Sequence, residues 1–341
     1  MIANAATPPP AIAAGSPWRV LRLGLGRRET QLVLAMVVVC AISTAIHPYF
    51  LTTGNIAFIL ADAVSTMLLA VGQTVVILGR GIDLSVAPIL GLAAVAVGFP
   101  AQNSNLPLVA ALFIVLALGI ALGIGNGLLV AVVGIPPIIA TLATLTVYGG
   151  LQFIVSNGNQ VDTLPSAYTT LGSADLLPGI PWLIVIGLVV VGAFSAFLRY
   201  TVTGRSIYAL GNNADAAYRA GIPVKRLLFL TYVISGMLAG LAGLVYLCHT
   251  GTADSTTGTD TSVQLTSIAA ALIGGTSLTG GRGGPLGGAL GAVFLSLALT
   301  SMVFLRIPPI WEPAGVGLLI LLAIVGERRR HRGARQRREA G

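Results

Sequence analysis

RYTVTGRSIYALGNNADAAYRAGIPVKR (Arg199–Arg226) is the long charged interruption in a chain that is otherwise mostly apolar. Asn212 and Asn213 suit the N-cap of a helix, where a short side-chain oxygen accepts from a free backbone N–H. Asp215 suits the first turn, where an acid complements the positive helix end. Ala214 to Ala220 are mostly helix formers; Gly221 then offers a left-handed stop, and Pro223 prevents continuation. The pattern predicts a helix of about two turns, roughly 10 Å long. Such a helix is too small to be a domain and the right size to be a handle that another protein grips. Small Ala216 and Ala217 would let it sit deep in a partner's groove. Isolated helices this short are marginal, so caps and a partner must hold it.

Outward from this stretch the chain is apolar in long runs. Hydrophobic residues make up 55% of it and charged residues 9%, and the mean hydropathy is +0.91. Runs of about 20 apolar residues make helical membrane spans, whereas a β-barrel would show alternating segments. The expected class is an all-α polytopic membrane protein with about ten spans: residues 31–46, 55–78, 84–99, 106–133, 136–155, 181–198, 227–247, 263–278, 285–304 and 308–325. Only Gly79-Arg80-Gly81-Ile82-Asp83 separates the second and third, so a re-entrant element there is the alternative to a tight turn. Cys40 and Cys248 fall inside expected spans and read as small packing residues, not a disulfide framework.

Charge tests the count. Sixteen of the nineteen Lys and Arg lie before the first span, in Arg199–Arg226, or after the last. The loops 156–180 and 248–262 hold Asp162, Asp175, Asp254 and Asp260 and no cation. The positive-inside rule then puts both termini and the central loop in the cytoplasm, and ten spans satisfy it with Arg306 as the sole exception. The net charge of +8 reads as this bias, not as a nucleic-acid surface. The division is a partly disordered cytoplasmic segment 1–30, a membrane unit 31–326 containing the loop 199–226, and a basic tail 327–341 that touches anionic lipid head groups. VVILGRGIDLSVAPILGLAAVAV (Val75–Val97) and AALIGGTSLTGGRGGPLGGALGAVF (Ala270–Phe294) share a shape: apolar helix, Gly-rich turn with one Arg, small-residue helix.

Catalytic chemistry is missing. A phosphate loop G-x-x-x-x-G-K-[ST] needs Lys after Gly, and the single lysine, Lys225, follows Val224. His47, His249 and His331 are scattered and make no metal cluster, and no paired-carboxylate or nucleophile motif occurs. No cofactor or metal is expected. Asp62 is the acid well inside an expected span, hence a pathway candidate unless it faces water near the span's outer end. Asp83 and Ser85 read as helix caps. Gly123, Gly125 and Gly127 beside Asn126 read as sites of close helix packing.

These residues resemble the permease subunits of ribose-type ABC sugar importers. The likeness rests on Ala70–Ala94, Gly211–Leu227, Ser235–Val245 and Ile268–Ala292, in order and spacing, and covers nearly all of Gln31–Val325. The central loop is similar to the importer permeases' EAA loop, with Asp215-Ala216-Ala217 and Gly221 at the matching positions, Asp in place of Glu, and no distal Ile-x-Leu-Pro. The family commonly reads Gly-Gly-Ile-Asp-Leu-Ser where Arg80-Gly81-Ile82-Asp83-Leu84-Ser85 stands here. The resemblance implies a subunit of the bacterial cytoplasmic (inner) membrane that forms the pathway for a small sugar or polyol. It implies an extracytoplasmic sugar-binding protein, a second permease copy in a homodimer or heterodimer, and cytoplasmic ABC ATPases. The ATPases would grip Asn213, Asp215, Ala216, Ala217 and Gly221. Neutral sugars need hydroxyl and amide partners, which makes Gln73, Thr74, Asn126 and Thr144 pathway candidates alongside Asp62. The alternative, a self-sufficient secondary transporter, predicts ion-coupled uptake without an ATPase, and the sparse intramembrane charge counts against it.

Overall fold

The computed structural model describes residues 28–322, apart from 260, together with Val325. The basic tail 327–341 and nearly all of the N-terminal segment 1–30 lie outside the described residues. Among the described residues eight helices are long and apolar enough to cross a membrane. In chain order the helices are α1 (Arg28–Ile46), α2 (Thr53–Leu78), α3 (Val86–Ser104), α4 (Leu108–Gly127), α5 (Pro137–Ser156), the short α6 (Ser166–Ser173) and α7 (Trp182–Tyr200). They continue with α8 (Val202–Asn212), α9 (Ala214–Arg219), α10 (Val224–Thr250), α11 (Thr261–Ile273), α12 (Pro285–Phe304) and α13 (Glu312–Leu322). A π-helical turn, Leu128–Val133, extends α4. A two-stranded ribbon, β1 (Asp175–Leu177) with β2 (Ile180–Pro181), precedes α7.

The interior is built from α2, α3, α10 and α12. Half or more of each is buried, against 11% of the apolar window of α1 and 22% of that of α4. The outer helices expose large apolar side chains such as Phe113, Ile139, Phe153 and Val189, which only lipid or another apolar partner can cover at little cost. Small residues set the spacing of α4 against α10. A Cβ on Gly236 would overlap the Gly119 carbonyl oxygen, and one on Gly123 would meet Tyr232 O. Backbones approach this closely only where both sides lack a side chain, so dispersion contacts run along the seam. Gly123 and Gly127 do serve packing against α10, while Gly125 faces the Tyr148 hydroxyl.

One of the ten expected spans is short. The expected 263–278 segment is α11, whose 13 residues reach about 20 Å against a hydrocarbon core of about 30 Å. A polar loop precedes it. Within it Gly258 packs on Ala87 O and Thr257 O on Gly91, near the start of α3, so the chain dips into the bundle before α11 begins. Gln152 of α5 holds this loop by donating to Asp254 O at 2.9 Å and Thr257 O at 2.7 Å. Of the last expected span, 308–325, the described residues include the apolar helix α13.

The 79–85 turn also folds inward. Gly81 N donates to Val76 O at 2.9 Å, and Asp83 lies level with Gln73, which faces it across the turn. Five residues of helix separate Gln73 from Leu78, so the chain climbs about 8 Å back into the bundle before α3 starts. This is the re-entrant alternative, not a surface turn.

Candidate functional site

Three features at different depths carry chemistry. The first is the handle. Helix α8 is capped by the Thr201 side chain, which accepts from Gly204 N at 2.9 Å. It ends at Asn213, whose side-chain oxygen accepts from Ala216 N at 3.0 Å and starts α9. Ile222 N donates to Ala217 O and Gly221 N to Tyr218 O, both at 3.0 Å, with Gly221 at φ +78°. That is a complete Schellman closure, the geometry that makes glycine favourable at the position. The caps expected at Asn213 and Gly221 are therefore present. Asp215 and Ala216 are exposed, but Ala217 is buried (4% exposed). The expectation that both alanines face a partner is corrected: Ala217 packs on its own chain, and the exposed face is completed by Tyr218, 75% exposed, and Arg219.

The handle is locked to two turns. A Cβ on Gly211 would overlap the Leu78 carbonyl oxygen, and Gly281 N donates to that same oxygen at 3.1 Å. Tyr208 OH donates to Gly283 O at 2.8 Å. The two sequence segments with a shared shape thus meet beneath α8.

The second feature is a buried polar node at Asp83. Its Oδ1 accepts from Ser85 N at 3.0 Å and Ser85 Oγ at 2.7 Å, and its Oδ2 accepts from Ser235 Oγ at 2.8 Å. Asn126 Nδ2 donates to Ser85 Oγ at 2.7 Å, and Gln73 Nε2 donates to Asp83 O. The buried side chain of Asp83 thus joins the start of α3 to α10, its backbone carbonyl adds α2 through Gln73, and Ser85 adds α4 through Asn126. The local Asx turn to Ser85 N agrees with the capping role, although Ser85 at the N-cap makes no side-chain cap bond. The link to Ser235, 152 residues on, has no local signal in the sequence. Gln73 and Asn126 belong to this node.

The third feature is a cavity of about 400 Å³ at the end of the bundle opposite the handle. Asp62, exposed into it, accepts at Oδ2 from Ser296 Oγ at 2.7 Å. Ser65 and Thr66 of α2, Thr266 of α11, and Asp254 and Thr257 of the dipping loop add polar surface. Burial pushes the Asp254 carboxyl up, but hydrogen bonds from Thr256 and Thr257 outweigh it and hold the group below the usual carboxylate range. Among the described residues no Lys or Arg lines the cavity. Of the pathway candidates, only Asp62 lies here. Thr74 faces Thr276 at 3.4 Å, and Thr144 bonds the Thr141 carbonyl of its own helix at 3.3 Å. Among the described residues no group of three or more His, Cys, Asp or Glu is placed to hold a metal ion.

A helical bundle with an exposed handle at one end, a polar cavity at the other and inward-folded segments between is the architecture of a membrane permease. The comparisons identify which kind. Residues 55–324 match the family described as the permease component of the branched-chain amino acid transport system. The autoinducer 2 import system permease protein LsrC of Enterobacter sp. (strain 638) is 37% identical over 302 residues, 88% of this chain and 87% of that protein. The probable ABC transporter permease protein y4mJ of Sinorhizobium fredii (strain NBRC 101917 / NGR234) is 36% identical, covering 88% of this chain and 90% of that protein. LsrC of Escherichia coli (strain K12 / DH10B) is 34% identical over 90% of this chain and 88% of that protein. No solved structure matches. The chain belongs to the family of ABC-importer permease subunits, inner-membrane transport components that are not enzymes.

Proposed function

We propose that this permease subunit imports a small uncharged polyhydroxy solute, a sugar or polyol, through the cavity at Asp62. A soluble binding protein delivers the solute, and separate ATPases on the α8–α9 handle drive the cycle. In this reading the chain crosses or enters the membrane ten times. Both termini and Asn213 are cytoplasmic, and two permease copies, identical or related, complete the pathway. The arginine distribution supports the orientation, and α11 and the segment that contains α13 are counted with the eight long helices.

The single observation that carries the substrate class is the lining of the cavity. Hydroxyl, amide and carboxylate groups accept and donate to sugar hydroxyls, and its volume suits a small solute, within the range of about 300–1,000 Å³ usual for such sites. With no Lys or Arg in the lining among the described residues, an anionic solute would lose its hydration without a permanent positive charge to pair with. A branched-chain amino acid, the cargo in the family's description, carries a carboxylate for which the described lining offers the His249 imidazole and the N-terminus of α11 but no Lys or Arg.

The test uses proteoliposomes holding the permease, its ATPase and its binding protein. Labelled ribose, leucine, a sugar phosphate and autoinducer 2, the cargo in the relatives' names, are compared as probes. ATP-dependent uptake of a neutral polyhydroxy probe, with neither leucine nor the sugar phosphate transported or competing, is the expected result. Uptake of leucine alone overturns the substrate class.

A further inference from the structure

Arg80 occupies a backbone position built for glycine. Its φ is +68°, in the left-handed region where a Cβ is strained. Its side chain runs past Gly280, where an added Cβ would lie 2.6 Å from Arg80 Cγ. The guanidinium then reaches the end of α8. Nε donates to Gly211 O at 2.8 Å and Nη2 to Asn212 O at 2.9 Å. These are among the last carbonyls of α8, which have no partner within the helix and sit at its negative end. A planar cation with several fixed donors satisfies two of them at once.

We infer that Arg80 is a positioning residue for the ATPase-coupling helix, clamping the junction of α8 and α9 to the inward-folded turn that carries Asp83. This rests on the handle being the ATPase contact. Asn213, the N-cap of α9, directly follows the clamped Asn212, so the clamp fixes where α9 starts and how it points. Asp83 lies three residues beyond Arg80 and holds α3 and α10. A displacement of α9 by its ATPase would therefore reach the buried node through a rigid connection. Glycine at position 80 would relax the backbone yet leave both carbonyls unbonded. Backbone strain kept in place by two side-chain bonds points to a function of the side chain.

The test measures the thermal midpoint of the purified chain and its affinity for the cognate ATPase in wild type, Arg80→Gly and Arg80→Lys. Hydrogen exchange at the Ala216 and Ala217 amides is followed in the same samples. Arg80→Gly removes strain, so its midpoint should equal or exceed wild type. Its ATPase affinity should fall about tenfold, within the range of ordinary coupling energies, while the α9 amides exchange faster. Arg80→Lys keeps a cation near the same carbonyls and should lie between the two. A merely structural arginine cannot separate stability from affinity in this way. A lower midpoint for Arg80→Gly, an unchanged affinity, or Arg80→Lys binding no better than Arg80→Gly overturns the inference. Failure of the wild-type chain to bind the ATPase would instead overturn the handle's role.

Discussion

Gly221 and Gly211 show how two glycines one helix apart hold their places for different reasons. Around Gly221 a Cβ would meet nothing within 4 Å, so only its φ of +78° opposes substitution. Gly221→Ala should cost roughly 1 kcal/mol locally and leave the thermal midpoint of the membrane bundle unchanged. At Gly211 a Cβ would overlap Leu78 O, so Gly211→Ala should lift α8 off its turn and lower both midpoint and yield. Equal midpoints for the two variants would contradict this distinction. Asp83 offers a second test at this scale. Asp83→Leu leaves the Ser235 hydroxyl and the Ser85 hydroxyl and N–H without their acceptor, about 1–3 kcal/mol for each buried group, whereas Asp83→Asn keeps an acceptor and should lose much less. Thermal melts of the two purified variants check the order. The caps at Asn213 and Gly221 were legible because capping is local. The Asp83–Ser235 bond and the Arg80 clamp were not, because they join residues 152 and more than 130 positions apart.

Among the elements, apolar length foretold the long helices, and small-residue spacing pointed to the α4 seam. Gly236→Leu should separate α4 from α10 and destabilise the bundle, while Gly192→Leu in α7, where nothing lies within 4 Å, should be tolerated. Detergent melts of the two variants give the comparison, and equal loss would refute the seam. The length of α11 could not be read, because the dipping 251–259 loop is polar and its depth is set by Gly91 and Gly258 packing, not by hydropathy. That loop has a pH dependence with a definite sign. The Asp254 carboxyl is lowered in the folded chain, so its contribution is full above the ordinary carboxylate pKa of about 3.9 and is lost as pH falls through the lowered value. Exchange at the Thr256 and Thr257 amides, corrected for intrinsic rate, should stay protected at pH 5 and rise only in strongly acidic buffer. Loss of protection already at pH 5 would show that the carboxylate does not hold the loop.

For the molecule as a whole, the sequence announced the class through composition and charge, and the family through motif order. Of the five residues offered for the pathway only Asp62 lines the cavity; Gln73 and Asn126 build the buried node, and Thr74 and Thr144 bond within the bundle. A polar residue in an apolar run marks either a pathway or an internal tie, and only the fold tells which. The orientation predicts that a cysteine at position 213 escapes membrane-impermeant reagents in intact cells and reacts after permeabilisation; labelling in intact cells would reverse the bundle. The central claim is that cytoplasmic ATPases act through the α9 handle to drive solute through the Asp62 cavity. ATP-dependent uptake by wild-type and Gly221→Val permease, reconstituted at matched amounts with ATPase and binding protein, tests it most directly. The account predicts that Gly221→Val inserts and melts like wild type, associates poorly with the ATPase and loses uptake. Wild-type uptake that proceeds without the ATPase, or a Gly221→Val permease that binds the ATPase and transports as wild type does, would contradict it.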